Sequence, residues 1–449
     1  MLGPSSHRRS RLGIRTCLVI AGLLSLGLLH LGCGAPKSSA GPRVILVGID
    51  GLDWKVMEPL MTRGVLPNLA RLRSQGMAGR LSTLLPTYSP IIWASIATGK
   101  NARQHGITGF VNRRPSGETT PFTSNSRRSR ALWNILSDAD RRVAVVGWWT
   151  TWPAERVNGV MVSDRMLYNR FNLWLGLAHH GEDLPAQTYP ESLFDTLVEK
   201  TRIPETLEQE FFETFGPELE QPVLERNLHD PWYELFLVFA RDRAYVDILE
   251  IVHGRERFDF TAFYLNGADI ASHYFWKYRF PEDWEGTVPE ATRRERERVI
   301  ERYYRWVDRA IAPLLAQVGE DCVVVVVSDH GFVGGKRSDS PEISGIHYNV
   351  APPGVILMAG GGLPSGTTLH DASVLDITPT LLHLMGFAVG RDMDGRVLAE
   401  VRDAPALDGR EVAFVSTFEP VGSGGEVDPL VTGHDDAILE RLRALGYID

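Results

Sequence analysis

Short apolar runs alternate with stretches of helical periodicity along most of this chain. Val44–Ile49 and Val323–Val327 are unbroken and β-branched, the pattern of strands buried on both faces. Gly79–Leu85, Arg142–Val146, Phe258–Leu265 and Gly354–Ala359 read as further strands. Between them lie predicted helices. Leu69–Gln75 is opened by Pro67-Asn68 and stopped by Gly76, and Ile91–Thr98 follows Pro86-Thr87-Tyr88-Ser89-Pro90 and is closed by Gly99. Arg130–Asp138, Glu295–Val318 and Asp376–Met385 complete the set, the second with an apolar stripe through Ile300, Tyr303, Tyr304, Val307 and Ile311. Strands alternating with helices predict an α/β fold with a mostly parallel central sheet flanked by helices. From about 168 to 255 the texture turns helical, with Trp, Phe, Leu and acidic residues, and predicts a helical cap insertion. Beyond about 400 the chain is acidic and Gly-rich before a last helix, Asp436–Leu445.

The first 40 residues break this pattern. Arg8, Arg9, Arg11 and Arg15 precede an apolar stretch from Cys17 to Gly32. A spanning helix wants about 20 apolar residues, so the shorter run suits a signal-peptide core. Gly32-Cys33 resembles a lipoprotein processing site, with Cys33 as the lipidated first residue; His30 stands where an aliphatic residue is usual. Plain cleavage near Ala35 and an uncleaved anchor are the alternatives. Each places the body outside the cytoplasm and ties it to, or releases it from, a membrane. The expected organisation is a leader at 1–40, a main domain at 41–400 and a C-terminal extension at 401–449.

Composition narrows the function classes. With 43% hydrophobic and 23% charged residues among 449, the chain is neither disordered, collagenous nor a polytopic membrane protein. Lys and Arg number 47 against 56 Asp and Glu, and the net charge of −9 argues against coating nucleic acid, which needs clustered cations. It leaves room for a small phosphorylated substrate held through metal ions. Three cysteines make no disulfide framework, and Cys322 reads as a buried core residue. The oligomeric state is not written in the sequence.

Three strands each run into an acidic residue. Asp50 follows VILVGI, Asp269 follows FDFTAFYLNGA, and Asp329 follows VVVVVS and precedes His330 and Gly331. Ligands of open α/β sheets sit at the carboxyl ends of strands, so these carboxylates are expected in one crevice. Close anions repel unless cations stand between them. Asp269 and His273 share a helix face at four residues' spacing, and His347 follows Gly345 in a loop. Three Asp and three His divide into an Asp-His-His and an Asp-Asp-His set, nitrogen and oxygen donors with open positions, the pattern of catalytic zinc. Two divalent ions about 4 Å apart hold both the attacking and the leaving oxygen of a phosphoryl transfer. Ser89 is the candidate nucleophile. It also reads as a plain helix N-cap before Pro90, and Thr87 is its rival. Trp148, Trp149 and Trp152 either line a substrate pocket or pack under the cap.

These residues resemble the alkaline phosphatase superfamily, in its type I phosphodiesterase/nucleotide pyrophosphatase branch. The segments that carry the resemblance are VILVGIDGLD (44–53), LPTYSPIIWASIATGKNARQHGI (85–107), NGADIASH (266–273), VVVVSDHGF (324–332), GIHYNVAPPGVILMAGGG (345–362) and DITPTLLHLMG (376–386). The resemblance implies Ser89 as nucleophile. It implies one zinc on Asp50, Asp329, His330 and the Ser89 oxygen, and a second on Asp269, His273 and His347. The implied reaction is in-line attack on a phosphate ester, then hydrolysis of a phospho-enzyme. Two departures bear on substrate. Nucleotide pyrophosphatases usually have Thr as nucleophile and an Asn shortly after it; here Ser89 is followed by Pro90, Ile91, Ile92 and Trp93. The phosphate clamp is therefore unassigned, with helix-start N–H groups, Lys100 and Asn112 as candidates. The sulfatase pattern, Cys or Ser followed by x-Pro-x-Arg, is missing. Phosphomonoesterase, phosphoryl transferase or mutase chemistry on the same site, and a non-catalytic surface lipoprotein, are the competing readings.

Overall fold

Valine-rich segments with no polar interruption have no solvent face to offer, and they form the middle of one sheet. The computed structural model describes residues 41–113, 117–166, 184–202, 204–216, 223, 230–336, 341–348, 350, 352–407, 409–420, 432, 435–444 and 448. The leader with Cys33, and parts of the expected cap at 168–183, 203, 217–222 and 224–229, lie outside them. Strands β1 (Arg43–Ile49) and β2 (Met77–Ser82) are followed by the short pair β3 (Val111–Arg113) and β4 (Thr119–Pro121). Next come β5 (Val143–Val146), β6 (Gly159–Val162), β7 (Thr188–Tyr189), β8 (Phe260–Leu265) and β9 (Cys322–Val327). A second short pair, β10 (Val333–Gly334) and β11 (Gly345–Ile346), precedes β12 (Gly354–Ala359) and β13 (Thr367–Ser373). Nine of these make a sheet in the order β13-β2-β12-β9-β1-β8-β5-β6-β7. The central pairs β9/β1, β1/β8, β8/β5 and β5/β6 are parallel, and β12 and β7 run against their neighbours.

The strand period of two sends alternate side chains to two separate cores. Ile45, Val47, Val324, Val326 and Phe263 pack on one face, and Val44, Leu46, Val323, Val325 and Ala262 on the other. Each such fully buried valine contributes about 1.5 kcal/mol or more through removal from water.

Helices cover both faces. They are α1 (Trp54–Thr62), α2 (Pro67–Gln75), α3 (Ser89–Thr98), α4 (Ala102–His105), α5 (Leu132–Asp138), α6 (Phe194–Lys200), α7 (Pro204–Phe215), α8 (Pro231–His253) and α9 (Gly267–Arg279). Then follow α10 (Glu290–Arg296), α11 (Val299–Ala310), α12 (Ala312–Leu315), α13 (Ile377–Leu384), α14 (Ala399–Arg402) and α15 (Asp435–Ala444). The stretch expected as one helix over Glu295–Val318 is three pieces. The last break precedes Pro313, which has no N–H to continue the ladder. The strand expected over Gly79–Leu85 begins earlier and ends at Ser82. Described residues of the C-terminal stretch fold back: Glu419 reaches Lys100, and α15 packs on β4. Among the described residues no helix is long and apolar enough to cross a membrane.

Candidate metal centre and its serine

Parallel pairing puts the carboxyl ends of β9, β1 and β8 side by side, with Gly48 opposite Val327 and Ile49 opposite Leu265. The residues that leave these ends are Asp50, Asp329 and the first turn of α9, which carries Asp269. All three carboxylates are buried. Gly51 follows Asp50 with φ +70°, a conformation that costs glycine little, and a Cβ there would meet the Asp269 backbone at 2.8 Å. Gly331 serves another purpose. Its φ is not left-handed, and the space a side chain would need is filled by the Asp53 carboxylate.

Six predicted residues converge as two adjoining groups. In the first, His330 Nε2 lies 3.4 Å from Asp50 Oδ1 and 3.3 Å from Asp329 Oδ2. In the second, His273 Nε2 lies 3.5 Å from Asp269 Oδ1 and 3.2 Å from His347 Nε2, and His347 Nε2 lies 3.9 Å from Asp269 Oδ1. The groups meet at His330 Nε2, 3.9 Å from Asp269 Oδ1. The ligand atoms of Asp50, Asp329 and His330 lie within 4.8 Å of one another, as do those of Asp269, His330 and His347.

The surrounding hydrogen bonds aim these atoms inward. Tyr264 Oη and Trp93 Nε1 both donate to Asp50 Oδ2, at 2.5 and 3.0 Å, which leaves Oδ1 for the crevice. The Gly51 N–H donates to Asp329 Oδ1 at 3.3 Å. His273 Nδ1 meets the Gly345 carbonyl at 2.8 Å and His330 Nδ1 the Gly331 carbonyl at 3.3 Å, so each ring donates there and turns an Nε2 lone pair to the site.

Asp50 Oδ1, Asp329 Oδ2 and His330 Nε2 thus converge as buried acceptors, and none has a hydrogen-bond partner among the described residues. Burial, then the Asp50 and Asp269 charges, push the Asp329 carboxyl well above its ordinary range. Burial also lowers the His330 imidazole, which keeps it neutral. Lone pairs packed this closely call for a cation, and the N/O donor set fits a divalent transition metal.

Ser89 begins α3. Strand β2 runs parallel to the central strands, so α3 also starts at their carboxyl edge. The N-cap role open to Ser89 falls instead to Tyr88; Ser89 is the first helical residue and is 3% exposed. Ser89 and Trp93 are four apart and share a face, and Trp93 is the residue bonded to Asp50. Thr87, its rival, spends its hydroxyl on the His347 carbonyl at 2.5 Å. Among the candidate clamps, Lys100 is buried against Asp392 and Glu419 at 2.7 and 2.8 Å, and Asn112 lies on β3 and does not line the cavity beside Ser89.

Several contributors were not legible in advance. Asp53 accepts from Phe332 N at 2.7 Å and Lys55 N at 2.6 Å, tying the loop after β1 to the loop after β9. Tyr304 donates to the Gly51 carbonyl at 3.1 Å and accepts from Asp53 N at 3.0 Å. Asp242 on α8 accepts from Asn266 N, Gly267 N and Tyr303 Oη, and so caps the start of α9. Of the three tryptophans, Trp149 lines a cavity beside Ser89, whereas Trp148 packs edge-on against Trp93 and Trp152 lies under Arg165.

Local sequence similarity links the chain to 2,3-bisphosphoglycerate-independent phosphoglycerate mutases. It is 33% identical over 95 residues to that of Roseobacter denitrificans and 36% identical over 92 residues to that of Dinoroseobacter shibae. These matches cover 20% of this chain and only 18% and 17% of the mutases. Among solved structures, human ectonucleotide pyrophosphatase/phosphodiesterase 5 aligns over 81% of this chain and 99% of its own, at 11% identity and a TM-score of 0.47. A phosphonate monoester hydrolase from Silicibacter pomeroyi aligns over 80% and 76%, at 16% identity and a TM-score of 0.44. Phosphonoacetate hydrolase from Sinorhizobium meliloti aligns over 67% and 59%, at 20% identity and 0.40. Residues 44–349, which hold Asp50, Ser89, Asp269, His273, Asp329, His330 and His347, match the description of one family throughout, and the chain belongs to it: type I phosphodiesterase/nucleotide pyrophosphatase.

Proposed function

We propose that this protein hydrolyses phosphoric esters of the phosphodiester or nucleotide pyrophosphate type, with Ser89 as nucleophile beside two divalent cations, most simply zinc. The observation that carries the reading is the convergence of Asp50 Oδ1, Asp329 Oδ2 and His330 Nε2, buried and without hydrogen-bond partners among the described residues. Asp50, Asp329, His330 and the Ser89 oxygen would hold one ion, and Asp269, His273 and His347 the other. Bound there, such ions neutralise phosphoryl oxygens and lower the pKa of an oxygen nucleophile.

The protein's own part follows. Ser89 Oγ loses its proton and attacks phosphorus, favoured by the positive end of the α3 dipole. The ester oxygen departs with the bonding pair and takes up a proton. Water then cleaves the phosphoseryl bond and returns the serine. Tyr264, Trp93 and the Gly345 carbonyl keep the ligands in register, so little reorganisation accompanies the step.

A second reading, phosphomonoesterase or phosphoryl transferase on the same site, draws on the mutase-like segment. Relative turnover of bis-p-nitrophenyl phosphate and p-nitrophenyl phosphate by the purified chain separates the two. Loss of both activities in Ser89→Ala and Asp329→Asn is expected, and unchanged turnover in both variants contradicts catalysis here. Export and tethering through Cys33 belong to the same proposal, tested by comparing fatty-acid probe labelling of the wild type and Cys33→Ser.

A further inference from the structure

A cavity of about 140 Å³ lies beside Ser89, between the carboxyl ends of β5, β6 and β8 and helix α15. Its walls are largely apolar: Phe110, Trp149, Tyr264 and Ile270, with Ile438 and Leu442 of α15. A closed cavity of about 150 Å³ is known to take one benzene-sized molecule, so this pocket has room for at least a single ring or short chain.

Four charged side chains also reach it, and three are committed elsewhere. Asp164 accepts from the N–H groups of Thr150, Thr151 and Trp152, and Asp242 from those of Asn266 and Gly267. Arg165 lies 3.7 Å from Asp435, donates to the Phe122 carbonyl and sits 4.4 Å over the Trp152 ring. Arg241 is different. It is half-buried on α8, with the Asp242 charge nearby, and among the described residues the one side-chain hydrogen bond it makes goes to Asn266 Oδ1. That bond ties it to the turn that delivers Asp269. A guanidinium has five N–H donors in a flat fork matched to carboxylates.

Resting on the hydrolase reading, we propose that Arg241 selects substrates whose organic group carries its own anion. The ester is then a small one, with a ring or short chain in the apolar cavity and a carboxylate or equivalent anion on Arg241.

The test compares kcat/KM for 4-carboxyphenyl phosphate and phenyl phosphate on the full purified chain. In Arg241→Gln the ratio of the two is expected to fall about tenfold or more, and Arg241→Lys, which keeps the charge, to recover most of it. An unchanged ratio overturns the assignment, whatever happens to the individual rates. The wild type supplies a check that needs no variant. Benzoate is expected to inhibit phenyl phosphate turnover at least about tenfold more strongly than uncharged benzamide, since a charged hydrogen bond is the stronger kind. Equal inhibition overturns the assignment. Turnover of neither ester, and none of bis-p-nitrophenyl phosphate either, overturns the hydrolase reading itself, and this assignment with it. Where the diester alone is turned over, benzoate and benzamide inhibition of that turnover is the deciding readout. Turnover with an unchanged ratio removes the assignment alone.

Discussion

Tyr264 donates its hydroxyl to Asp50 across 214 residues of sequence, at 2.5 Å. Burial, then the charges of Asp50 and Asp329, push the Tyr264 phenol well above its ordinary range, so it stays a donor at any working pH. Because Oδ2 is held by Tyr264 and Trp93, Oδ1 is the oxygen that faces His330. Tyr264→Phe keeps the ring and removes one of the two donors. Metal affinity, followed by chelator competition, is expected to fall about tenfold, the lower end for loss of a ligand-orienting bond. Unaltered affinity counts against the orienting role.

Ser89 is the first residue of α3, and the helix N-cap is its neighbour Tyr88. Removing its hydroxyl therefore takes away no capping bond. Ser89→Ala is expected to leave thermal stability nearly unchanged and to lower kcat by at least about a thousandfold, as loss of a nucleophile does. The paired measurement is bis-p-nitrophenyl phosphate turnover and a melting curve on the same preparation. A stable variant that retains turnover contradicts the assignment.

Asp242 carries the start of α9. Burial raises its carboxyl to about 6, although the Arg241 charge and then three donors oppose the rise. Asp242→Ala strips acceptors from Asn266 N, Gly267 N and Tyr303 Oη at once. Leaving buried donors unmet is expected to cost about 3 kcal/mol in denaturant unfolding. A loss below about 0.5 kcal/mol, the size of an ordinary surface substitution, contradicts the capping role.

His105 gives a pH signature. Its Nε2 pairs with Ser95 Oγ at 3.0 Å and its Nδ1 accepts from Ile107 N at 3.1 Å, so the ring is held neutral. Burial, and then the Arg127 charge, depress it to about 3 from an ordinary 6.5. Between those values the unfolded chain binds more protons than the folded one, so stability rises with pH. It falls as pH drops below about 6.5, by up to about 1.4 kcal/mol per unit from this group. Calorimetric melting of the wild type and His105→Gln between pH 7 and 5 is expected to show the steeper decline in the wild type. Parallel declines contradict it.

What the sequence could carry follows from how each residue signals. Val323–Val327 and Val44–Ile49 were legible as central strands because an unbroken apolar run leaves no other burial. The carboxylates after them followed from where such strands end. Strand β13, TTLHDAS, was missed because an edge strand with exposed polar positions has no such run. Tyr303 and Tyr304 were read as stripe packing, and their rings do pack; the pattern could not tell that their hydroxyls hold Asp242 and Gly51. Arg241 sits inside α8, a helix buried on most sides, where periodicity does not separate a face toward the cavity. The pairing of Asp50 with His330, and of His273 with His347, depends on strand order, which spacing alone does not encode.

The most direct test of a paired-cation site is the metal content of the purified full chain by elemental mass spectrometry, beside Asp329→Asn and His347→Ala. About two equivalents of a divalent transition metal per wild-type chain are expected, with about one lost in each variant. A folded wild-type chain that holds none, after purification without chelators and with zinc supplied, contradicts the site and the phosphoryl chemistry built on it.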